Sequence, residues 1–312
     1  MELSLNVQSS PHVRDNISTR LIMLDVVIAL IPATIWGIIQ FGVHAALVVV
    51  VSIISAILSE TIYNLIVKKP NTISDLSCVV TGLILGLNMP PEIPLFIPVV
   101  GSAFAIIIVK MLFGGLGQNF MNPALAGRAF CFISFAGPMT SFTSKLSIDT
   151  YSSATPLVLL KNGYEVKIID LFIGKIPGAI GEISALLLLL GAVYLAIKKI
   201  IDLRIPIIYI LTFIIFIMIF SGKSTSANYI LGELFAGGLI FGAFYMASDY
   251  TTTPITPLGK IIYAIFLGVL TGVFRIWGKT GECVSFVILI GNLLIPLIES
   301  CTIPTAFGKE GK

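Results

Sequence analysis

The sequence predicts an all-α polytopic membrane protein, with about ten transmembrane helices in two inverted five-helix repeats, some of them short or broken. Three observations lead there. Of 312 residues, 56% are hydrophobic and only 11% charged, whereas a soluble domain carries about 25% charged residues. The mean hydropathy is +1.02, so the polar surface is too small to cover a water-soluble globule. Apolar stretches near the roughly 17–25 residues that a bilayer crossing needs recur along the whole chain. The net charge of +3 gives no reason to expect a nucleic-acid partner; the lipid bilayer is the expected surrounding.

The first twenty residues are mostly polar, so no cleavable signal peptide is expected and the first span serves as the insertion signal. Spans are predicted at 21–41 and 43–67, the second ended by Lys68-Lys69-Pro70-Asn71. A short third span, 73–89, carries glycines and closes at Pro90-Pro91. The fourth is 93–113, followed by a glycine loop, and a short fifth is 123–136. A polar segment, 137–176, interrupts the series. The later spans are 177–197, 205–220, 229–247, 260–277 and 283–298, with a Thr/Pro-rich connection from Asp249 to Pro257. The expected organisation is therefore an N-terminal segment (1–20), a first repeat (21–136), the polar segment (137–176), a second repeat (177–299) and a tail (300–312).

Lysine and arginine favour the cytoplasmic side of short loops. With the N-terminus inside, Arg14, Arg20, Lys68, Lys69, Lys198, Lys199, Arg204, Lys260, Lys309 and Lys312 all fall inside. The short outer loops hold Lys223 and Lys279, with Arg275 at the membrane edge. Both termini are then cytoplasmic and the polar segment is outside; its own lysines count for less because long segments translocate largely regardless of charge. Gly82-Leu-Ile-Leu-Gly86 in the third span echoes Gly238-Leu-Ile-Phe-Gly242 in the eighth. An odd number of spans per half inserts the halves in opposite senses, the inverted repeat common in transporters.

Several stretches carry chemistry. In Ser147–Leu157, Thr155 stands before Pro156, which favours an extended backbone and leaves the hydroxyl presentable to a modifying protein. The alternative is that Thr155 caps a short helix with Pro156 at its first position; both readings stand at this point. Asn122-Pro123 reads as a helix start by the same rule. Around Asn119 and Asn122, the glycines of Gly114-Gly-Leu-Gly-Gln-Asn119 allow close approach of a planar ligand, with amides to bind it. They do not form a dinucleotide fingerprint, since no strand–helix unit surrounds them.

Asp25, Glu60, Lys110, Arg128, Glu182, Glu233 and Asp249 fall in or beside spans, where ionisable groups are costly and point to function. Arg128 has Asp25, Glu60, Asp249 or an anion such as a phosphate as candidate partners. Lys110 and Glu60 lie near inner ends, where snorkelling to the interface is the competing expectation. Asp249 either caps the next helix or accepts from a ligand. Cys78, Cys131, Cys283 and Cys301 are too scattered for a disulfide framework or cluster motif, and the isolated His12 and His44 suggest no metal site.

Taken together, Ser10-Pro-His12, Gly82–Gly86 through Pro90-Pro91, Gly114–Asn119, Asn122-Pro-Ala-Leu-Ala-Gly-Arg-Ala-Phe130 and Ser153-Ala-Thr-Pro-Leu157 resemble the NqrB/RnfD family. Its members are membrane subunits of the sodium-pumping NADH:quinone oxidoreductase and of the ion-translocating ferredoxin:NAD oxidoreductase (Rnf) complex. The short lead before the first span resembles the RnfD branch more than the NqrB branch; the polar segment is shorter than in many members.

The resemblance implies covalent FMN, attached through its phosphate by a flavin transferase to Thr155, with Asp149, Ser152 and Ala154 matching the rest of the motif. It also implies a non-covalent riboflavin toward the cytoplasmic side, at positions matching Asn119, Asn122 and Asp249. Arg128 is a further candidate for cofactor contact. The expected function is electron carriage within a translocase, alongside other membrane and peripheral subunits including a second flavinylated one. This chain shows no ferredoxin or nicotinamide site of its own. Two alternatives stay open: an NqrB-like quinone oxidoreductase subunit, and a stand-alone small-solute channel with the same repeat.

Overall fold

The computed structural model describes residues 18–142, 155–164, 166–222, 226–278 and 283–304, and these form helices with no strand among them. The stretch with Asp149, Ser152 and Ala154 lies outside the described residues, as does Ser10-Pro-His12.

Helices α1 (Thr19–Phe41) and α2 (Val43–Val67) form a hairpin. Ser18 caps α1 through the Leu21 amide, and Gly42, at φ 85°, ends α1 and begins α2. The large exposed side chains of α1, Ile28, Ile31, Ile35 and Ile39, recur at helical spacing. Such a stripe is untenable in water and suits lipid. Among the described residues, four helices are long and apolar enough to cross a membrane: α1, α2, α13 (Pro257–Trp277) and α14 (Val284–Thr302). The bent pair α11 (Ala227–Phe235) and α12 (Leu239–Phe241, extended as a π-helix through Gly242–Met246) makes a fifth candidate, with a 59° bend. Shorter apolar helices are α3 (Ser77–Leu87), α4 (Phe96–Ala103, continuing as a π-helix over Phe104–Met111), α5 (Pro123–Ser134), α9 (Ala185–Ile197) and α10 (Arg204–Phe220). Small helices α6 (Ala136–Thr140), α7 (Pro156–Lys161) and α8 (Ile168–Ile173) lie between α5 and α9.

Helices in lipid associate by close backbone packing over small residues. A Cβ on Gly82 would sit 2.8 Å from the Ile53 Cα, and one on Gly86 3.0 Å from the Val49 Cα. These two glycines let α3 lie on α2, where Ser52 Oγ donates to the Gly82 carbonyl at 2.8 Å. Gly268 and Gly272 do the same for α13 on α10, joined by a 2.7 Å hydrogen bond between Tyr209 and Thr271.

Two differences from the sequence expectation matter. The eighth predicted span, 229–247, is broken within its length at Ala236–Gly238, because Gly237 and Gly238 both take φ 66°. The sixth predicted span begins as a helix only at Ala185, capped by Ser184. The residues before it run irregularly against the end of α3, where Ile180 N–H donates to Met89 O (3.1 Å) and Gly181 N–H to Leu87 O (2.8 Å). Irregular backbone within a membrane protein is tolerated where other protein groups satisfy it.

Candidate functional site

One pocket gathers residues from the start of α1 and α3, the ends of α4, α9 and α12, and the loops beyond. The loop after α4 turns on Gly114, Gly115 and Gly117, at φ 120°, 99° and 90°, a left-handed region that side chains avoid. It delivers Asn119, whose Nδ2 donates to Met121 O and Thr251 Oγ1, each at 3.1 Å. Thr251 Oγ1 in turn donates to Asp249 Oδ2 at 3.0 Å, and Thr252 does so at 3.4 Å. Asn119, Asn122 and Asp249, far apart in sequence, therefore line one pocket. Asp249 does not cap the next helix; Thr256 does, accepting from the Gly259 amide. Desolvation holds the Asp249 carboxyl above its usual range, against the opposing hydrogen bonds of Thr251 and Thr252.

Asn122 is the helix start predicted for it: its Oδ1 accepts from the Ala124 and Leu125 amides, with Pro123 at the first helical position. Asn119 differs, since its Oδ1 is buried without a hydrogen-bond partner. Buried acceptors rarely stay unmatched; this atom is an unsatisfied group within the pocket wall. Apolar walls from Ile22, Val26, Val80, Leu195 and Phe244 suit the faces of a planar ring.

The snorkelling expectation for Lys110 and Glu60 is overturned. They are 2% and 0% exposed and pair at 2.7 Å. The π-helical end of α4 aims Lys110 inward, where its Nζ also reaches Ser77 Oγ at 2.6 Å. Ser77 and Lys110 both line the pocket; nothing in the sequence pattern marked Ser77 as part of it.

At the far end of α13, about 27 Å along the helix at 1.5 Å per residue, Arg275 binds the break between α11 and α12. Its guanidinium donates to Glu233 Oε2 (3.1 Å), Ala236 O (2.8 Å), Gly237 O (3.2 Å) and the Glu233 carbonyl. Thr155 lies at this side, lining a small pocket of about 290 Å³ with Pro177, Glu182 and Gly237. Its backbone is extended (φ −63°, ψ 150°) and Pro156 opens α7, so Thr155 does hold the cap position. Its side chain, however, makes no capping hydrogen bond. The hydroxyl is not engaged by the helix it precedes.

Arg128 is not among the lining residues of the pocket that holds Asn119 and Asp249. Nor does it pair with Asp25, Glu60 or Asp249 as expected. Its Nη1 donates to Glu182 Oε1 (3.4 Å), Asn88 Oδ1 (3.1 Å) and Ser285 Oγ (2.5 Å). The irregular segment before α9 is what brings Glu182 there, and a span predicted to be helical from residue 177 hid it. Asp25 pairs with Tyr194 and Lys198 instead.

Fold and pockets together define a multi-pass helical membrane protein with a pocket at one end of the bundle. The chain belongs to the NQR2, RnfD, RnfE family, whose sequence model matches residues 6–308. It is 46% identical over 321 residues to the D subunit of the Na(+)-translocating ferredoxin:NAD(+) oxidoreductase complex of Acetobacterium woodii, covering 100% of this chain and 99% of the relative. It is 41% identical to the D subunit of the proton-translocating ferredoxin:NAD(+) oxidoreductase complex of Clostridium ljungdahlii, over 97% of this chain and 96% of the relative. With the D subunit of an ion-translocating oxidoreductase complex of Stutzerimonas stutzeri the identity is 34%, over 93% and 92%.

Proposed function

We propose that this chain is the flavin-carrying membrane subunit of an ion-translocating ferredoxin:NAD oxidoreductase complex. Full-length similarity to the corresponding subunits of two such complexes supports the assembly and its reaction. The observation that carries the flavin assignment is the uncommitted hydroxyl of Thr155 on an extended backbone before a proline. In this reading Thr155 bears FMN through a phosphoester at the extracytoplasmic face, attached by a flavin transferase. Asn119, Asn122 and Asp249 hold a riboflavin at the cytoplasmic end. Flavins supply one- and two-electron carriage; the protein sets their spacing, burial and electrostatics. Other membrane and peripheral subunits, including a second flavinylated one, bring electrons in and take them out.

The same reading gives ten spans in two inverted halves, 21–136 and 177–299, with both termini in the cytoplasm of a cell whose cytoplasmic membrane holds the chain. Three features support the inversion. Leu76 and Gly238 both stand left-handed, at φ 62° and 66°, in front of α3 and α12. Lys110 at the end of α4 binds Ser77 at the start of α3, as Arg275 at the end of α13 binds the break before α12. Helix α4 packs on α2, as α13 packs on α10. By this register the Gly82 and Gly238 motifs are not structural equivalents: Gly82 serves helix packing and Gly238 serves the break.

Denaturing electrophoresis of the purified complex tests the flavin assignment. A fluorescent band at the mass of this chain, absent in Thr155→Ala, is expected. A dark wild-type band from a host with an active flavin transferase contradicts it.

A further inference from the structure

Thr155 stands at the head of a helix that cannot hold itself together. Helix α7 has six residues, Pro156–Lys161, and isolated helices shorter than about 12–15 residues are marginal in water. Its shape therefore depends on what it is docked to. Leu157 and Leu160, 4% and 5% exposed, meet Leu171 and Ala236 in one small apolar cluster. Each of the two leucines fills a place that a glycine leaves open. A Cβ on Gly237, at the break between α11 and α12, would lie 2.1 Å from Leu157 Cδ1, and one on Gly232 in α11 would lie 3.1 Å from Leu160 Cδ1. At the far end of α7, Lys161 Nζ donates to the carbonyl of Gly278, just past α13. In this docked position Thr155 is half-buried and Pro156 and Leu157 are buried beside it.

A transferase with a dinucleotide-sized donor must close around the target hydroxyl and its neighbours in sequence, and docked α7 withholds those neighbours. We propose that Thr155 accepts its flavin only while α7 is undocked, with Pro156 and Leu157 released from the α11–α12 break, and that docking of α7 shuts the reaction off. The inference deepens the assignment of Thr155 as the flavin anchor and rests on it. The step is a phosphoryl transfer in which nothing is oxidised or reduced. The Thr155 oxygen bonds the flavin-side phosphorus of a flavin dinucleotide, the pyrophosphate bond breaks, a nucleoside monophosphate leaves, and the hydroxyl proton passes to a base of the transferase. Undocking exposes two leucines and frees one hydrogen bond, a local opening rather than global unfolding. When opening and closing are fast, an enzyme acting on the open form works at a rate set by its population. The strength of docking then sets the rate of flavin attachment.

The test is flavin transfer in vitro to the full-length chain, purified in detergent from a host without the transferase. Purified transferase and a flavin dinucleotide are added, and FMN on Thr155 is followed in time by mass spectrometry after reduction and digestion. In Leu160→Cys/Gly232→Cys the two new side chains face each other, since Leu160 Cγ lies 3.7 Å from a Cβ at position 232, close enough for a disulfide after a small shift. Oxidised, this variant holds α7 down; reduced, it serves as its own control. Transfer to the oxidised form is expected to be at least about tenfold slower than to the reduced form, in step with the population of open α7. Leu171→Ala loosens the cradle without touching the stretch that the transferase reads, and is expected to speed transfer roughly tenfold over wild type, a part of what one buried leucine is worth. If wild type is modified at Thr155 and the oxidised and reduced forms react equally fast, or Leu171→Ala is no faster than wild type, the inference is overturned and the anchor assignment stands. If wild type takes no flavin at Thr155 from a transferase active on another substrate, the anchor assignment itself is overturned, and the inference falls with it.

Discussion

Arg128 and Glu182 meet at 3.4 Å inside the bundle, 6% and 8% exposed. The cation comes from α5 and the anion from the irregular segment before α9. The same Nη1 reaches Asn88 at the end of α3 and Ser285 in α14, so one guanidinium ties elements from both parts of the chain. Breaking a buried pair from one side typically costs about 3–5 kcal/mol because a lone charge is left behind. Arg128→Met is expected to lower the thermal unfolding midpoint in detergent strongly. Arg128→Met/Glu182→Gln is expected to recover most of the loss. Equal losses in the two variants count against the pair as the cause.

Glycine at 238 is required twice. Its φ of 66° is unfavourable for other residues, and an added Cβ lies 2.5 Å from Glu182 Oε1. Gly115 has a left-handed φ of 99° but open space around it. Gly115→Ala should therefore cost only backbone strain, about 1 kcal/mol. Gly238→Ala adds overpacking of about 1–3 kcal/mol and displaces Glu182. Thermal unfolding of the two variants side by side is the check; equal midpoints contradict the packing argument.

The two asparagines should separate capping from binding. Asn122 Oδ1 holds two amides of α5, and Asn122→Ala is expected to cost about 1 kcal/mol of stability. Asn119 caps nothing, and its Oδ1 has no partner. Asn119→Ala is expected to lower the amount of extractable, non-covalent flavin with a smaller change in stability. Retention equal to wild type removes Asn119 from the site.

Asp249 makes stability depend on pH with a definite sign. Its folded pKa is raised, chiefly by desolvation, so the folded protein keeps this proton at pH values where the unfolded chain, at about 4, has released it. Stability is thus highest below the unfolded value, falls as pH climbs to the raised folded value, and stays lower above it. Asp249→Asn should flatten that fall and be more stable than wild type at neutral pH. An unchanged slope of unfolding midpoint against pH rules Asp249 out as its source.

Much of this was legible in the residues. Span 2 matches its helix at both ends, because Gly42 and the Lys68-Lys69-Pro70 stop act locally. Asn122-Pro123 specifies its cap through adjacent atoms alone. The association of Asn119, Asn122 and Asp249 followed from family resemblance, since no local rule joins loops so distant in sequence. The partner of Arg128 was not legible, because Glu182 depends on an irregular segment held by α3 carbonyls. Local hydropathy reads such a segment as helix. The burial of Lys110 with Glu60 was equally hidden: position near a span end suggests the interface, while the π-helical turn of α4 directs the side chain inward.

The most direct measurement is mass spectrometry of the tryptic peptide that follows Lys145 and ends at Lys161, taken from the complex purified with its flavin transferase active. The expected product is a peptide carrying one FMN, with fragment ions placing it on Thr155. An unmodified peptide, or FMN on any other residue of it, contradicts the assignment of Thr155 as the flavin anchor.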